Sequence, residues 1–392
     1  MSWPKLKLES LAAKEPYSFV GGPFGSKLTT RDYVESGIPV IRGSNMNNGR
    51  YIDMTDFVFV TESKVREDLS SNLAKPGDLV FTQRGTLGQV AIVPSDGIAD
   101  RYVVSQSQMK LTVDEAKADR LFLYYYFSSR EATERIMSFV SSSGVPHINL
   151  TVLRNFEVPV PPPGEQRKIA ELLSSYDDLI ENNRRRIQLL EQAARLLYKE
   201  WFVHLRYPGH EHTRITEGIP AGWSKKPLGE LLTLQRGFDL PVSKRREGSF
   251  PIYASTGING YHAEAKVKGP GVVTGRSGSL GTVMYVSGDF WPLNTTLWIK
   301  EFKLVGPHYA NHLLANMQLE QYNGGAAVPT LNRNDVHRVE VLSPPTLLLR
   351  VFEEQSSEIV KQIDTLTSMN LKLAEARDLL LPKLMNGEGR CE

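Results

Sequence analysis

The sequence predicts an α+β protein: two similar globular domains separated by two long helices that form an antiparallel coiled coil, with a pseudo-two-fold internal repeat. Three observations predict it. First, Val145-Pro146-His147-Ile148-Asn149 recurs as Val328-Pro329-Thr330-Leu331-Asn332 at an offset of 183 residues, which continues ungapped through Pro161-Pro162 to Leu197 in one copy and Pro344-Pro345 to Leu380 in the other. Second, the offset is larger upstream: 193 between Gly85-Thr86-Leu87-Gly88 and Gly278-Ser279-Leu280-Gly281, and 220 between Trp3 and Trp223. The second copy is therefore shorter by about 37 residues, all within its globular part. Third, the length-constrained part of each copy carries a heptad pattern.

Residues 1–160 form the first domain. Short β-branched runs such as Asp78-Leu79-Val80-Phe81-Thr82 and Val90-Ala91-Ile92-Val93 predict strands separated by turns. One amphipathic helix is predicted near 120–139. The Pro cluster at 159–163 closes the domain and opens the next helix, because proline suits a first helical turn but not an interior. Residues 161–206 are the first long helix, with seams Ile169, Tyr176, Asn183, Leu190, Leu197 and Leu173, Ile180, Ile187, Ala194, Trp201. Residues 207–345 repeat the first domain, with strand Thr282-Val283-Met284-Tyr285-Val286 and a helix near 306–322. Residues 346–392 are the second long helix and a tail, with seams Phe352, Ile359, Leu366, Leu373, Leu380 and Ser356, Ile363, Asn370, Arg377, Leu384. An antiparallel register that sets Trp201 against Phe352 and Leu173 against Leu380 also sets Asn183 against Asn370. A paired interior Asn costs stability but fixes register. The weak layers are Tyr176 with Arg377 and Leu197 with Ser356. About 40 helical residues span roughly 60 Å, more than one turn of B-DNA at about 34–36 Å, which suits a two-part target.

Composition narrows the function. The 392 residues are 41% hydrophobic and 23% charged, with mean hydropathy −0.28, so the chain is neither disordered nor membrane-spanning. The one cysteine, Cys391, permits no disulfide framework or cysteine metal site, and the N-terminus lacks an apolar signal region; a cytoplasmic location is expected. The three clustered histidines, His204, His210 and His212, have no Cys or acidic ligands at metal spacing, so no metal is expected. No Asp/Asn-Pro-Pro-aromatic motif of an adenine methyltransferase is present, and Gly21-Gly22-Pro23-Phe24-Gly25-Ser26-Lys27 has the wrong spacing for a phosphate loop. Asp114-Glu115-Ala116-Lys117 is a nuclease-like fragment best read as a solvated loop.

The stretch from Val145 to Asn149, the helix start Pro161-Pro162-Pro163-Gly164-Glu165-Gln166-Arg167-Lys168-Ile169-Ala170, the domain start Ile219-Pro220-Ala221-Gly222-Trp223, and Pro76-Gly77-Asp78-Leu79 with Arg84-Gly85-Thr86-Leu87-Gly88 resemble the specificity (S) subunits of type I restriction–modification enzymes. So does the order recognition domain, helix, recognition domain, helix. The second copy departs where Thr346-Leu347-Leu348-Leu349 replaces the Gly-Glu-Gln segment. The resemblance implies a non-catalytic subunit in which each domain reads one half of an interrupted DNA sequence. The helices then act as spacer and docking site for two methyltransferase subunits. S-adenosylmethionine and ATP are implied on methyltransferase and translocase–nuclease partners, with no cofactor on this chain and no membrane contact.

Base readout needs planar bidentate side chains on loops, and phosphate contacts need Lys, Arg, hydroxyls and open backbone N–H groups. The candidates in the first domain are Lys27, Arg42, Asn45, Asn47, Gln83, Arg84, Thr86, Gln106, Gln108, His147 and Asn149. In the second they are Arg236, Lys244, Arg245, Ser255, Asn259, Arg276, Ser277, Ser279, Asn294, Thr295, Asn332 and Arg333. The alternative is a two-domain coiled-coil scaffold that joins protein partners without DNA; polar planar side chains on loops of both copies distinguish the two. The net charge of +2 is thinly spread: residues 1–160 are neutral, 161–206 carry +1, 207–345 carry +3 and 346–388 carry −2. Weak DNA binding by the chain alone is expected, since electrostatic affinity follows the phosphates neutralised.

Overall fold

The computed structural model describes residues 3–46, 49–140, 146–325 and 327–387. The chain divides into two compact units, residues 1–182 with 369–392 and residues 183–368. Each long helix thus begins in one unit and ends in the other.

The first unit holds strands β1 (Lys5–Lys7), β2 (Phe19–Gly21), β3 (Ile38–Ile41), β4 (Val58–Val60), β5 (Leu73–Ala74), β6 (Leu79–Thr82), β7 (Val90–Ile92), β8 (Tyr102–Val104), β9 (Gln108–Leu111) and β10 (Glu157–Pro159). Its helices are α1 (Glu62–Lys64), α2 (Arg120–Ser128), α3 (Arg130–Met137), α4 (Leu150–Arg154) and the first part of α5 (Pro163–Tyr198). One sheet has strand order β2-β9-β6-β7, a second β4-β3-β8-β5 with β3 and β8 parallel, and β1 pairs with β10. The second unit holds β11 (Ile215–Thr216), β12 (Ile219–Pro220), β13 (Ser224–Pro227), β14 (Leu232–Arg236), β15 (Phe250–Ala254), β16 (Gly257–His262), β17 (Gly271–Gly275), β18 (Val283–Val286), β19 (Trp291–Pro292), β20 (Thr296–Phe302) and β21 (Glu340–Ser343). Its helices are α6 (Leu228–Leu231), α7 (Pro307–Asn316), α8 (Arg333–His337) and the first part of α9 (Thr346–Met385).

The strand orders reproduce the repeat. Here β14-β20-β17-β18 mirrors the first sheet, β16-β15-β19 mirrors the second with β15 and β19 parallel, and β13 pairs with β21 as β1 does with β10. The largest single shortening of the second copy lies between its paired β3- and β4-type strands. The long 42–57 connection of the first unit becomes a tight turn between Ala254 and Gly257. The segment holding Arg42 and Asn45 therefore has no second-unit counterpart.

Two helix expectations need correction. The stretch near 120–139 is two helices, because Ser129 adopts an extended backbone and its hydroxyl caps α3 by accepting from Ala132 N. Helix α2 is buried on all sides, Phe122 through Phe127, as its uniformly apolar and aromatic sequence requires. The stretch near 306–322 is α7 followed by a 3₁₀ turn, Leu319–Tyr322, separated at Gln318 with φ +50°.

The long helices pack antiparallel within each unit. In the first, Ile169, Ala170 and Leu173 of α5 share the core with Leu381, Leu384 and Met385 of α9. The charge of Arg377, expected in a layer with Tyr176, is met by Asp378 and by Asp177, whose carboxylate also accepts from the Tyr125 hydroxyl. That ion pair makes an apparently weak layer tolerable, and the heptad pattern alone did not reveal it. Asn370 donates to the Ile180 carbonyl at 3.3 Å. In the second unit Trp201 packs on Phe352 at 5.9 Å between ring centroids, with Tyr198, Phe202 and Tyr309 closing the aromatic cluster. Asn183 is buried there, and so is Ser356.

The Pro-Gly-Glu-Gln helix start has an internal role. Gln166 is fully buried; its Oε1 accepts from Asp119 N at 2.8 Å and its Nε2 donates to the Pro161 carbonyl at 2.8 Å. It ties the start of α5 to the start of α2. The second copy lacks that glutamine and solves the same problem with Glu353, which accepts from His308 N and Tyr309 N at the start of α7.

Candidate nucleic-acid interface

Three loops of the first unit meet at the end of β6. Gln83 N and Arg84 N both donate to the Ser107 carbonyl, at 2.7 and 3.3 Å, and Ile148 N donates to the Gln83 carbonyl at 3.1 Å. Arg84 and His147 form an antiparallel bridge. The β6–β7 hairpin, the β8–β9 turn and the segment entering α4 are thus laced into one junction by main-chain hydrogen bonds. Arg84 and Thr86 are exposed on it, and Gln83, Gln106 and His147 are half-buried. The Gln106 amide donates to the carbonyls of Gly25 and Leu28, both at 2.8 Å, so it also holds the 22–28 loop.

The second unit builds the same junction from different side chains. Arg276 N and Ser277 N donate to the Thr295 carbonyl at 2.8 and 3.1 Å, Leu331 N donates to the Arg276 carbonyl at 2.8 Å, and Ser277 bridges Thr330. The repeat offset of 193 maps Gln83 onto Arg276 and Arg84 onto Ser277, so an amide in one unit stands where a guanidinium stands in the other. Arg276 Nε donates to the Asn294 carbonyl at 3.1 Å, which orients the planar group. The Asn294 amide in turn donates to Asp239, which also pairs with Arg236 at 3.4 Å. Ser279 is exposed beside this junction, Ser255 is buried beneath it, and the buried Thr295 hydroxyl has no partner among the described residues.

Several sequence candidates spend their polar atoms elsewhere. Asn45 is fully buried; its Nδ2 donates to the Asp53 and Thr55 carbonyls and its Oδ1 accepts from Arg42 N. Arg42 is tied to the Asp56 carbonyl and carboxylate. Gln108 is fully buried and accepts from the Ser105 hydroxyl. Asn149 and Asn332 cap α4 and α8, accepting from Val152 N and Asn334 N. A buried or capping amide offers no edge to a base, so these residues shape the loops. Arg245 donates to the Asn259 carbonyl at 2.7 Å, which joins these two but sets them on the β15–β16 sheet with exposed Lys244. Lys27 and Arg333 are exposed, and Asn47 lies outside the described residues. What the residue list missed was the hub: two main-chain carbonyls, Ser107 and Thr295, which no side-chain pattern announces.

Elsewhere in the second unit, a separate cleft between α5, α7 and α9 contains His308, His312 and Asp364. Burial pushes the His312 imidazole down to about 4, with His308 and Arg195 adding to the shift. No group of His, Cys, Asp and Glu suited to a metal occurs among the described residues, and no helix there is long and apolar enough to cross a membrane.

Residues 24–192 match the family model described as the type I restriction modification DNA specificity domain. Over these residues the chain is similar to the type I restriction–modification specificity subunits. The chain is 26% identical to the type I restriction enzyme MjaIX specificity subunit of Methanocaldococcus jannaschii, over 92% of this chain and 89% of that protein. It is 22% identical to the HindI specificity subunit of Haemophilus influenzae, over 80% and 87%. The fold is also that of the crystal structure of a type I restriction–modification S subunit from M. genitalium, with TM-score 0.60 and 20% identity over 98% of this chain and 96% of that one.

Proposed function

We propose that the chain is the sequence-reading subunit of a type I restriction–modification complex, each unit reading one half of an interrupted duplex target. The observation that carries this reading is the junction built twice on one main-chain scaffold with different outward side chains. A shared scaffold with exchanged planar groups is what two half-sites of different sequence require. Arg84 and Arg276 have the fork geometry for guanine O6 and N7, Gln83 suits adenine, and Gln106 and Asn294, whose amides bond within their own unit, serve as orienting groups. Thr86, Ser277 and Ser279 suit phosphates, as do Lys27, Lys244 and Arg333.

In this reading the chain performs no chemistry. The long helices set the spacing and dock two methyltransferase subunits, with Asn183 and Asn370 fixing register. S-adenosylmethionine is held by those partners, ATP by translocase–nuclease subunits where they are present, and adenine is the methylated base. The near-neutral charge of residues 1–160 and the modest +3 of residues 207–345 fit a division of labour in which this chain selects and its partners clamp. The test is selection of bound duplexes from a random pool at low salt. The wild-type chain should enrich two short elements at fixed separation. Arg276→Ala should relax one position of one element and lose about 1–3 kcal/mol. Enrichment left unchanged by Arg276→Ala would remove Arg276 from the reading surface, and no enrichment at all would reject DNA recognition.

A further inference from the structure

The loop pinned by Gln106 carries an unexplained residue. Phe24 is 80% exposed at its tip. Burying a phenyl ring is worth roughly 1.5–3 kcal/mol, so such exposure is costly unless something covers the ring. The loop is not loose. Gly22 N donates to the Gln108 carbonyl at 2.8 Å, and a Cβ on Gly22 would lie 1.9 Å from the Ser105 carbonyl oxygen, so only glycine lets the chain press onto the β8–β9 turn. Gly25, at φ +63°, then turns the backbone back, and Gln106 holds the carbonyls on either side of Ser26 and Lys27. Gln83 Oε1 lies 3.4 Å from where a Cβ on Gly21 would be, which places the root of this loop against the junction.

The second unit has the same loop with different content. Gly237 N donates to the Thr296 carbonyl as Gly22 N does to Gln108, which aligns Phe24 with Asp239. There the carboxylate accepts from Asn294, the counterpart of Gln106. A polar residue that bonds inward in one unit is replaced by an aromatic that projects outward in the other.

We infer that Phe24 is a base-contacting residue of the first unit, packing in the major groove on the 5-methyl group of a thymine in its half-site. The inference rests on the DNA-reading proposal above. Apolar contact with a thymine methyl is a recognised form of direct readout. The neighbours favour DNA over a protein partner: exposed Lys27 follows three residues later, Gln83 lies at the root of the loop, and exposed Arg84 is on the same junction.

The test pairs Phe24→Ala in the full chain with replacement of each thymine in the selected duplex by deoxyuridine, which deletes one methyl. Phe24→Ala should weaken the selected duplex roughly ten- to hundredfold and leave an unrelated duplex unchanged. Deoxyuridine at one position should cost the wild-type chain about fourfold and cost Phe24→Ala nothing there. The contact is refuted if Phe24→Ala keeps wild-type affinity and base preference, if the deoxyuridine penalty persists in the variant, or if selected and unrelated duplexes weaken alike. A variant that reads DNA normally but no longer co-purifies with a co-expressed methyltransferase subunit would assign Phe24 to a protein interface instead. A wild-type chain that enriches no duplex defeats the DNA reading itself, and with it this contact. Phe24→Leu, which keeps an apolar side chain, should fall between wild type and alanine.

Discussion

Replacing Gln166 by alanine tests whether the Pro-Gly-Glu-Gln helix start is a strut or a partner contact. The glutamine is fully buried and makes two 2.8 Å hydrogen bonds, one accepted from Asp119 N and one donated to the Pro161 carbonyl. Alanine leaves both groups buried and unpaired, at about 1–3 kcal/mol each. The loss should therefore be about 2–6 kcal/mol of the first unit's stability. For a unit of about 200 residues this is roughly 4–24 °C in Tm. Hydrogen exchange should localise the effect, with protection lost at the starts of α2 and α5 and retained in residues 183–368. Gln166→Glu should be no milder, because it keeps the acceptor for Asp119 N but sets a buried carboxylate against the Pro161 carbonyl. A Gln166→Ala protein within about 0.5 kcal/mol of wild type would refute the strut and return the motif to the partner surface.

Three further outcomes follow from the same geometry. Phe352→Ala empties the aromatic cluster of Tyr198, Trp201, Phe202 and Tyr309 and should cost about 3–5 kcal/mol in denaturant titration of the second unit. His312, with a folded value of about 4 against 6.5 unfolded, takes up its proton more readily when the unit unfolds. Its contribution is full above pH 6.5 and lost as pH falls towards 4, by up to about 3 kcal/mol. His312→Gln should flatten that slope in thermal melts across the interval, and a slope unchanged in the variant would assign it to other groups. Arg377→Met should destabilise the first unit by more than Asp177→Asn, because the first leaves the largely buried Asp177 carboxylate with the Tyr125 hydroxyl alone while the second leaves the guanidinium paired with Asp378. Equal losses would contradict that assignment.

Much of the architecture was legible because repetition and periodicity are written in residue identities. The shrinking offset between the copies reappears in the matching strand orders, and the heptads placed Trp201 against Phe352. Helix ends were less legible. Ser129 interrupts an apolar run by capping rather than by composition, and Gln318 ends α7 through a backbone angle that no residue type dictates. The candidate interface was legible only in part. Side-chain chemistry pointed to Arg84, Gln106 and Arg276, which the loops do bring to the junctions. The same chemistry named Asn45, Gln108, Asn149 and Asn332, because an amide that caps a helix and an amide that reads adenine look alike in sequence. Phe24 was passed over for the opposite reason: an aromatic is ordinarily core, and only its exposure marks it.

The most direct measurement is a map of methylated bases in DNA from cells carrying this chain with its methyltransferase partners, compared with cells carrying Arg276→Ala. The wild type should give one two-part motif at fixed spacing, and the variant should relax the half read by residues 183–368 while the other half stays intact. A map unchanged by deleting the chain, or a variant that blurs both halves equally, would contradict the assignment of one half-site to each unit.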